Sequence, residues 1–367
     1  MGRCSLCGKE SELISSVLSL CLDCIRKDFK KVKNIILSVH YDVRKRFNLP
    51  DKAGDVGGLV CNLCANNCRI PEGGRGYCGL RKNTNGRLVG PDKKANLDFY
   101  FDSLPTNCVA SWVCPAKTDC GYPVFSYTKG PEYGYKNLAV FYNGCSFNCL
   151  FCQNWQYHLR LNRKENLVDS SFLANQVDEL TSCICYFGGD PSCQIIHSLK
   201  TSYLALQNKK NRILRVCWET NGSMNPTLLD KVIDIALESG GSVKFDLKAH
   251  SEEVHFALCG VSGLATKNNF ARAARRFKER KEPPLVIAST LLVPGYIDEF
   301  EIKGIASFIA SLDSDIPYAL LGFGPCFCMN DLPFISKRFA FCMHQIAISE
   351  GLKNVTIENT HILSEDG

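Results

Sequence analysis

Residues 136–154, KNLAVFYNGCSFNCLFCQN, join an apolar β-type run at 138–142 directly to a loop carrying Cys145, Cys149 and Cys152 in a C-x3-C-x2-C pattern. Thiolates are ligands that iron prefers, and a cubane cluster has four irons, so three nearby cysteines leave one iron without a protein ligand. An open metal position can chelate a small molecule, whereas a closed tetrahedral set usually only holds structure. Downstream, short apolar runs at 184–188, 215–220, 242–247, 285–293 and 318–323 alternate with amphipathic helical stretches near 168–181, 195–208, 227–238, 269–281, 298–311 and 334–350. Six successive β-α units predict an α/β fold. Its parallel sheet is covered on both faces and curled into a full or partial barrel, with chemistry at the carboxyl ends of the strands.

The triplet and its setting resemble the radical S-adenosylmethionine (SAM) superfamily, whose hallmark is this loop after the first strand of a partial (β/α)6 barrel; the resemblance spans about residues 136–360. YFGGDPS (186–192) is similar to the family's Gly-Gly-Glu-type turn at the methionyl amine of SAM, with Asp190 at the acidic position. Gly188 and Gly189 would let backbone approach a ligand with no Cβ in the way. Phe151 stands where the family packs an apolar side chain near the adenine. WETNG (218–222), VKFDLK (243–248), HFALCGVS (255–262) and LLVPGYIDE (291–299) resemble segments of pyruvate formate-lyase activating enzyme. The resemblance places Glu219 and Asn221 among the cofactor-binding residues and turns Asp246 and Lys248, on one side of a strand by its period of two, toward the cavity as catalytic candidates. Ser289 departs from the pattern, because a basic residue is expected there.

The resemblance implies that a [4Fe-4S] cluster binds the amine and carboxylate of SAM, passes one electron to the sulfonium and releases a 5′-deoxyadenosyl radical that abstracts hydrogen from a substrate. A protein substrate and a small electron-donor protein are the expected partners, as for activating enzymes. Two alternatives stay open. One is cobalamin-dependent methyl transfer to a protein such as methyl-coenzyme M reductase, with residues 91–135 covering the large cofactor. The other is an RNA-modifying or RNA-binding protein, suggested by the basic leading segment.

Working outward, the 367 residues contain 22 Cys, many in tight groups. C4-x2-C7-x13-C21-x2-C24 is close to a four-thiolate zinc ribbon. Cys61, Cys64, Cys68 and Cys78 form a second candidate set, for zinc or an auxiliary iron-sulfur cluster, in CNLCANNCRIPEGGRGYCGLRKN (61–83), which is similar to the leader of AmmeMemoRadiSam-type relatives. Cys108, Cys114 and Cys120 have five-residue gaps that fit no standard ligand set and read as structural. Cys326 and Cys328 fall at the expected site rim, and His158, His250 and His255 near strand ends read as structural histidines.

The expected organisation is a basic zinc-ribbon-like module at 1–50, a cysteine segment at 51–90 opening on the Gly-rich linker 51–58, an irregular connection at 91–135 and the barrel at 136–367. The net charge is +6, of which residues 1–50 supply +5, from 10 basic and 5 acidic side chains. A run of roughly 18 apolar residues is needed to span a membrane, and no run reaches that, so no membrane partner is expected. Residues 13–22 lack a basic lead, Gly2 lacks the myristoylation context and the tail SEDG carries no lipidation box, so a cytoplasmic location is expected, where Cys-x-x-Cys groups read as metal ligands.

Overall fold

The computed structural model describes residues 1–54, 57–161, 167–208 and 213–365. Residues 55 and 56 of the expected linker, and the last two residues of the tail, lie outside them. The central sheet has nine strands: β1 (Lys94–Ser103), β2 (Lys136–Tyr142), β3 (Leu167–Asp169), β4 (Thr181–Gly188), β5 (Arg215–Thr220), β6 (Val243–Asp246), β7 (Val286–Leu291), β8 (Tyr318–Leu321) and β9 (Val355–Glu358). Their spatial order is β9-β8-β7-β6-β5-β4-β2-β1-β3. β2 and β4 to β9 run parallel, while β1 pairs antiparallel with both β2 and β3. The sheet is therefore open, and its inward faces converge on shared cavities: a partial barrel. β7 and β8 are buried at every position, as strands covered on both faces must be.

The helices are α1 (Leu22–Lys27), α2 (Phe29–Arg46), α3 (Ile195–Gln207), α4 (Pro226–Ser239), α5 (Glu252–Cys259), α6 (Leu264–Ala274), α7 (Glu299–Leu312) and α8 (Lys337–Ser349), besides short turns at Tyr157–Arg160 and Ser170–Ala174. α4 shows why its ends fall where they do. Asn225 accepts from Thr227 N at 2.9 Å, Pro226 fills the first turn, and Gly240 closes the helix at φ 79°.

Four expectations need correction. The connection 91–135 is not irregular throughout: 94–103 is a ten-residue strand, so the barrel sheet begins well before residue 136. The helix expected at 168–181 is a strand end and five helical residues, because Asp169 caps at once by accepting from Ser171 N and the chain turns again at Asp178. The helix near 269–281 begins five residues earlier and ends at Ala274. A seventh parallel strand, β9, extends the six expected units.

The leading module is fused to the barrel. Ile14, Leu18, Leu20, Ile25, Val32, Ile36 and Val43 enter the same hydrophobic core as the sheet. Arg26 clamps Asp298 and Glu301 at the start of α7, at 2.5 and 2.7 Å. The Tyr296 hydroxyl accepts from Ser15 N and donates to Leu20 O.

Candidate functional site

The loop after β2 carries the cysteine triplet, and the carboxyl ends of β4 to β8 surround it. Cys145, Cys149, Cys152, Phe151, Gly188, Gly189, Asp190, Glu219, Asn221, Asp246 and Lys248 all line one cavity of about 240 Å3, which Ser289 also lines. The cysteine triplet and every residue singled out for cofactor or catalytic roles are thus brought to one place.

The loop is held from three sides. Asn148 N and Leu150 N donate to Cys259 O and Leu258 O at the end of α5, and Cys328 N donates to Leu150 O. Asn148 Nδ2 donates to Nδ1 of His40 on α2 at 2.9 Å, while His40 Nε2 donates to Ala257 O. Burial lowers the His40 pKa to about 4, so this neutral tautomer is the one present at pH 7.

The sulfurs sit among N–H donors. Phe147 N lies 3.3 Å and Asn221 Nδ2 3.6 Å from Cys145 Sγ, and Asn221 also donates to Ser146 Oγ at 2.8 Å. Cys149 and Cys259 place their sulfurs 3.6 Å apart in a hydrogen bond that, against burial, lowers the Cys149 pKa. Burial, with Asp190 and Cys149 adding to it, raises Cys145 far above its ordinary range, and burial followed by Cys149 pushes Cys152 up to about 12. Donors around buried sulfurs suit thiolates that bind a cation. The triplet is not gathered within 4.8 Å, as a single-ion cage would be, which fits sulfurs serving separate irons.

The glycine turn lines the cavity and also packs against the cysteine loop. A Cβ on Gly189 would stand 2.5 Å from Gly144 O, and one on Gly188 2.6 Å from Tyr142 N. The missing side chains therefore let this turn press against the cysteine loop backbone itself. Asp190 is 2% exposed, and its carboxylate accepts from Ser192 N at 2.7 Å, Asn221 N at 2.6 Å and Thr220 Oγ1 at 3.1 Å. It ties the ends of β4 and β5 together. Lys248 Nζ pairs with Asp246 at 2.7 Å and lies 5.8 Å from the Phe151 ring, and Ser289 Oγ donates to the other Asp246 oxygen at 2.7 Å. Burial opposes the Lys248 charge, but Asp246 and Cys149 raise its pKa above the ordinary value.

Three features escaped the sequence reading. Lys244, on the inward face of β6, joins Glu219 at 2.8 Å beneath the cavity. Cys259 touches the triplet, and Cys193, just past Asp190, hydrogen-bonds Cys78 and helps lower its pKa to about 6. Each could have been suspected: Lys244 lies in VKFDLK on the same side of the strand as Asp246 and Lys248, and the two cysteines lie in or next to family segments, though their partners are over 100 residues away.

Elsewhere, the sulfurs of Cys4, Cys7, Cys21 and Cys24 lie within 4.8 Å of one another and could hold a metal ion. Cys7 and Cys21 are 3.7 Å apart. Thiolates at the corners of a zinc tetrahedron, with Zn–S about 2.3 Å, stand about 3.8 Å apart. Cys61, Cys64, Cys68 and Cys78 are not gathered this way; Cys68 Sγ instead accepts from Tyr77 N at 3.3 Å. Cys108 and Cys114 face the barrel interior, whereas Cys120 lies at the surface beside Gly121 and Tyr122. Cys326 approaches Cys152 O at 3.6 Å, at the site rim. His158 stacks on Phe47, His255 packs on Phe147 and His250 on Phe300, none of them lining the cavity. No helix among the described residues is long and apolar enough to cross a membrane.

The chain is similar to several known proteins. An uncharacterized protein of Methanocaldococcus jannaschii is 25% identical over 317 residues, covering 83% of this chain and 82% of its own. A second protein of that organism, named provisionally as a glycyl-radical enzyme activating enzyme, is 27% identical over 186 residues, 49% of this chain and 64% of its own. Among solved structures, a domain of pyruvate-formate lyase-activating enzyme from Bacteroides vulgatus matches with a TM-score of 0.38 at 21% identity, covering 48% of this chain and 98% of that one. The model of the radical SAM superfamily matches residues 139–308, from β2 into α7, the stretch that carries the cysteine triplet and all of the cavity lining but Val109 and Leu321.

Proposed function

We propose that the chain is a radical SAM enzyme that abstracts hydrogen from a protein substrate, with a small electron-donor protein as its reductant. The observation that carries this reading is the convergence of three separated, donor-surrounded sulfurs with the Gly188–Asp190 turn, Asn221 and the Asp246–Lys248 pair in one cavity. A [4Fe-4S] cluster with SAM supplies reductive cleavage of the sulfonium and the 5′-deoxyadenosyl radical.

The chain's own residues then have separable tasks. Cys145, Cys149 and Cys152 would hold the cluster, leaving one iron free of a protein ligand for SAM. The turn at Gly188 and Gly189 presents backbone to the methionyl end, and Asp190 fixes that turn against Asn221. Phe151 offers an apolar face to the adenine. Lys248, oriented by Asp246 and Ser289, supplies the positive charge expected from a basic residue at 289. Glu219 closes the cavity floor with Lys244. The relative named as a glycyl-radical enzyme activating enzyme supports a protein as substrate.

The cavity lined by residues 104–116 favours hydrogen abstraction over the cobalamin alternative. At about 110 Å3 it is far below the roughly 300–1,000 Å3 of ordinary small-molecule pockets. The leading quartet we assign to structural zinc, on the 3.7 Å sulfur spacing.

The test is anaerobic reconstitution with iron, sulfide, reductant and SAM. Production of 5′-deoxyadenosine, absent from Cys149→Ala, is expected. Absence of that product from protein with a full cluster, in the presence of candidate protein substrates, refutes the reading.

A further inference from the structure

Beneath the SAM-facing cavity lies a second one, ringed by sulfur. The strands β4 and β5 turn alternate residues inward, and their register sets Cys185 beside Cys217. One step toward the site, Glu219 is paired in register with Lys244. Opposite these, residues 104–116 enter the open end of the barrel and bring Cys108 and Cys114 to the same space. Lys244 Nζ, on a side chain only 5% exposed, stands 2.8 Å from Cys108 Sγ and 3.7 Å from Cys185 Sγ. Cys183 also lines the space, two residues further from the site along β4, where its thiol donates to Asn137 Oδ1 at 3.3 Å, while the Cys108 and Cys185 thiols donate to Glu219 Oε1 at 3.5 and 3.9 Å.

Three physical arguments define what fits. The cavity, about 110 Å3, is smaller than the roughly 150 Å3 engineered void that admits benzene, so it suits a compact core and excludes a peptide or a nucleotide. Four thiols from two strands and a separate connection line a space they do not fill, which core packing alone does not produce. Among the described residues only the leading quartet has its sulfurs within 4.8 Å, so these four are too dispersed for one tetrahedral ion. Thiolates serving different irons of one cluster do not share a single ion's coordination sphere.

We propose that this inner cavity houses a second iron-sulfur cluster, ligated by Cys108, Cys114, Cys185 and Cys217, with Lys244 donating to the Cys108 and Cys185 sulfurs. Phe187, Glu219 and Lys244 border both cavities, so the second cluster lies one side-chain layer from the first site.

The test uses the full chain with Cys145, Cys149 and Cys152 all changed to Ala, reconstituted anaerobically with ferrous iron and sulfide. Iron, zinc and acid-labile sulfide per chain are measured together with the Mössbauer spectrum. Two to four irons with matching sulfide are expected to remain. Adding Cys185→Ala and Cys217→Ala removes them, whereas adding Cys61→Ala and Cys64→Ala instead leaves the inner-cavity spectrum in place. Should the first combination not fold, Cys108→Ala with Cys114→Ala, changed outside the sheet, gives the same reading. Absence of residual iron, zinc in its place, or iron that follows Cys61 and Cys64 overturns the proposal. Because the first site is already disabled, the outcome is independent of whether SAM is cleaved there.

Discussion

The segment that closes the inner cavity is fastened by a buried ion pair, and breaking it has a calculable cost. Arg215 and Glu132, 1% and 0% exposed, meet through both guanidinium nitrogens at 2.9 and 2.5 Å. Arg215 also donates to Phe125 O and Ser182 Oγ, and Glu132 accepts from Tyr127 N and Ser182 Oγ. Glu132→Ala leaves a guanidinium without its counter-charge in a place water does not reach. Removing one partner of such a pair costs about 3–5 kcal/mol, or roughly two to three and a half orders of magnitude in the folding equilibrium. Replacing both partners, as Glu132→Leu with Arg215→Met, should cost less than Glu132→Ala alone, since neither charge is then stranded.

The pH dependence has a definite sign. Burial opposes the Glu132 charge, but Arg215 prevails and holds the carboxyl below its ordinary value. Its contribution is therefore complete above the unfolded value of about 4.3 and is lost as pH falls through the depressed folded value. Urea unfolding under anaerobic conditions reports this, read by fluorescence of Trp112 in the connection, Trp155 after the cysteine loop and Trp218 in the core. Glu132→Ala should unfold at lower urea and lose the acid limb, and its Cys108 and Cys114 should become open to alkylation. An unchanged midpoint in Glu132→Ala, or a double variant as unstable as the sum of the singles, would refute the reasoning.

Other perturbations probe the site and its supports. Gly189→Ala drives a methyl onto Gly144 O, so iron uptake at the triplet should fall severalfold while the zinc count at the leading quartet is unchanged. Cys259→Ala removes the hydrogen bond to Cys149; donors to cluster sulfur raise the potential, so potentiometric titration should find a more negative midpoint, and an unchanged one would contradict the contact. Lys248→Met strands Asp246 and should cut 5′-deoxyadenosine formation at least tenfold at full cluster content, measured by single-turnover assay. His40, His197 and His255 are all held near a pKa of about 4 by burial, so thermal stability should decline as pH falls from about 6.5 toward 4, each histidine contributing up to roughly 3 kcal/mol.

Much of the barrel is legible because its strands are apolar runs broken by amphipathic helices; 215–220 coincides with β5 to the residue. The site is legible for the same reason, since function gathers at strand ends and each end carries a recognisable short segment. β1 is not legible, because KANLDFYFDS alternates across a half-exposed antiparallel strand amid Asn and Asp that read as turn. α5, eight residues long, is too short to show its period. The inner sulfur ring eludes a linear reading altogether: C-x-C in β4 looks like a buried run until the register sets Cys185 beside Cys217. Cys108 and Cys114 reach them through a fold in the chain that spacing does not encode.

The contact between His40 and Asn148 carries a consequence for where this molecule begins, physically speaking. The family-defined unit starts at residue 139, yet its cysteine loop is braced by a helix about a hundred positions upstream, and Arg26 bolts the neighbouring helix down to α7. Cutting the chain at the family boundary would strip the loop of that brace and lay bare the apolar floor on which Val32, Ile36 and Val43 rest. The working machine is larger than the domain that lends it its chemistry, and loss of metal from the leading quartet should be felt, through this strut, as slackness at the catalytic loop.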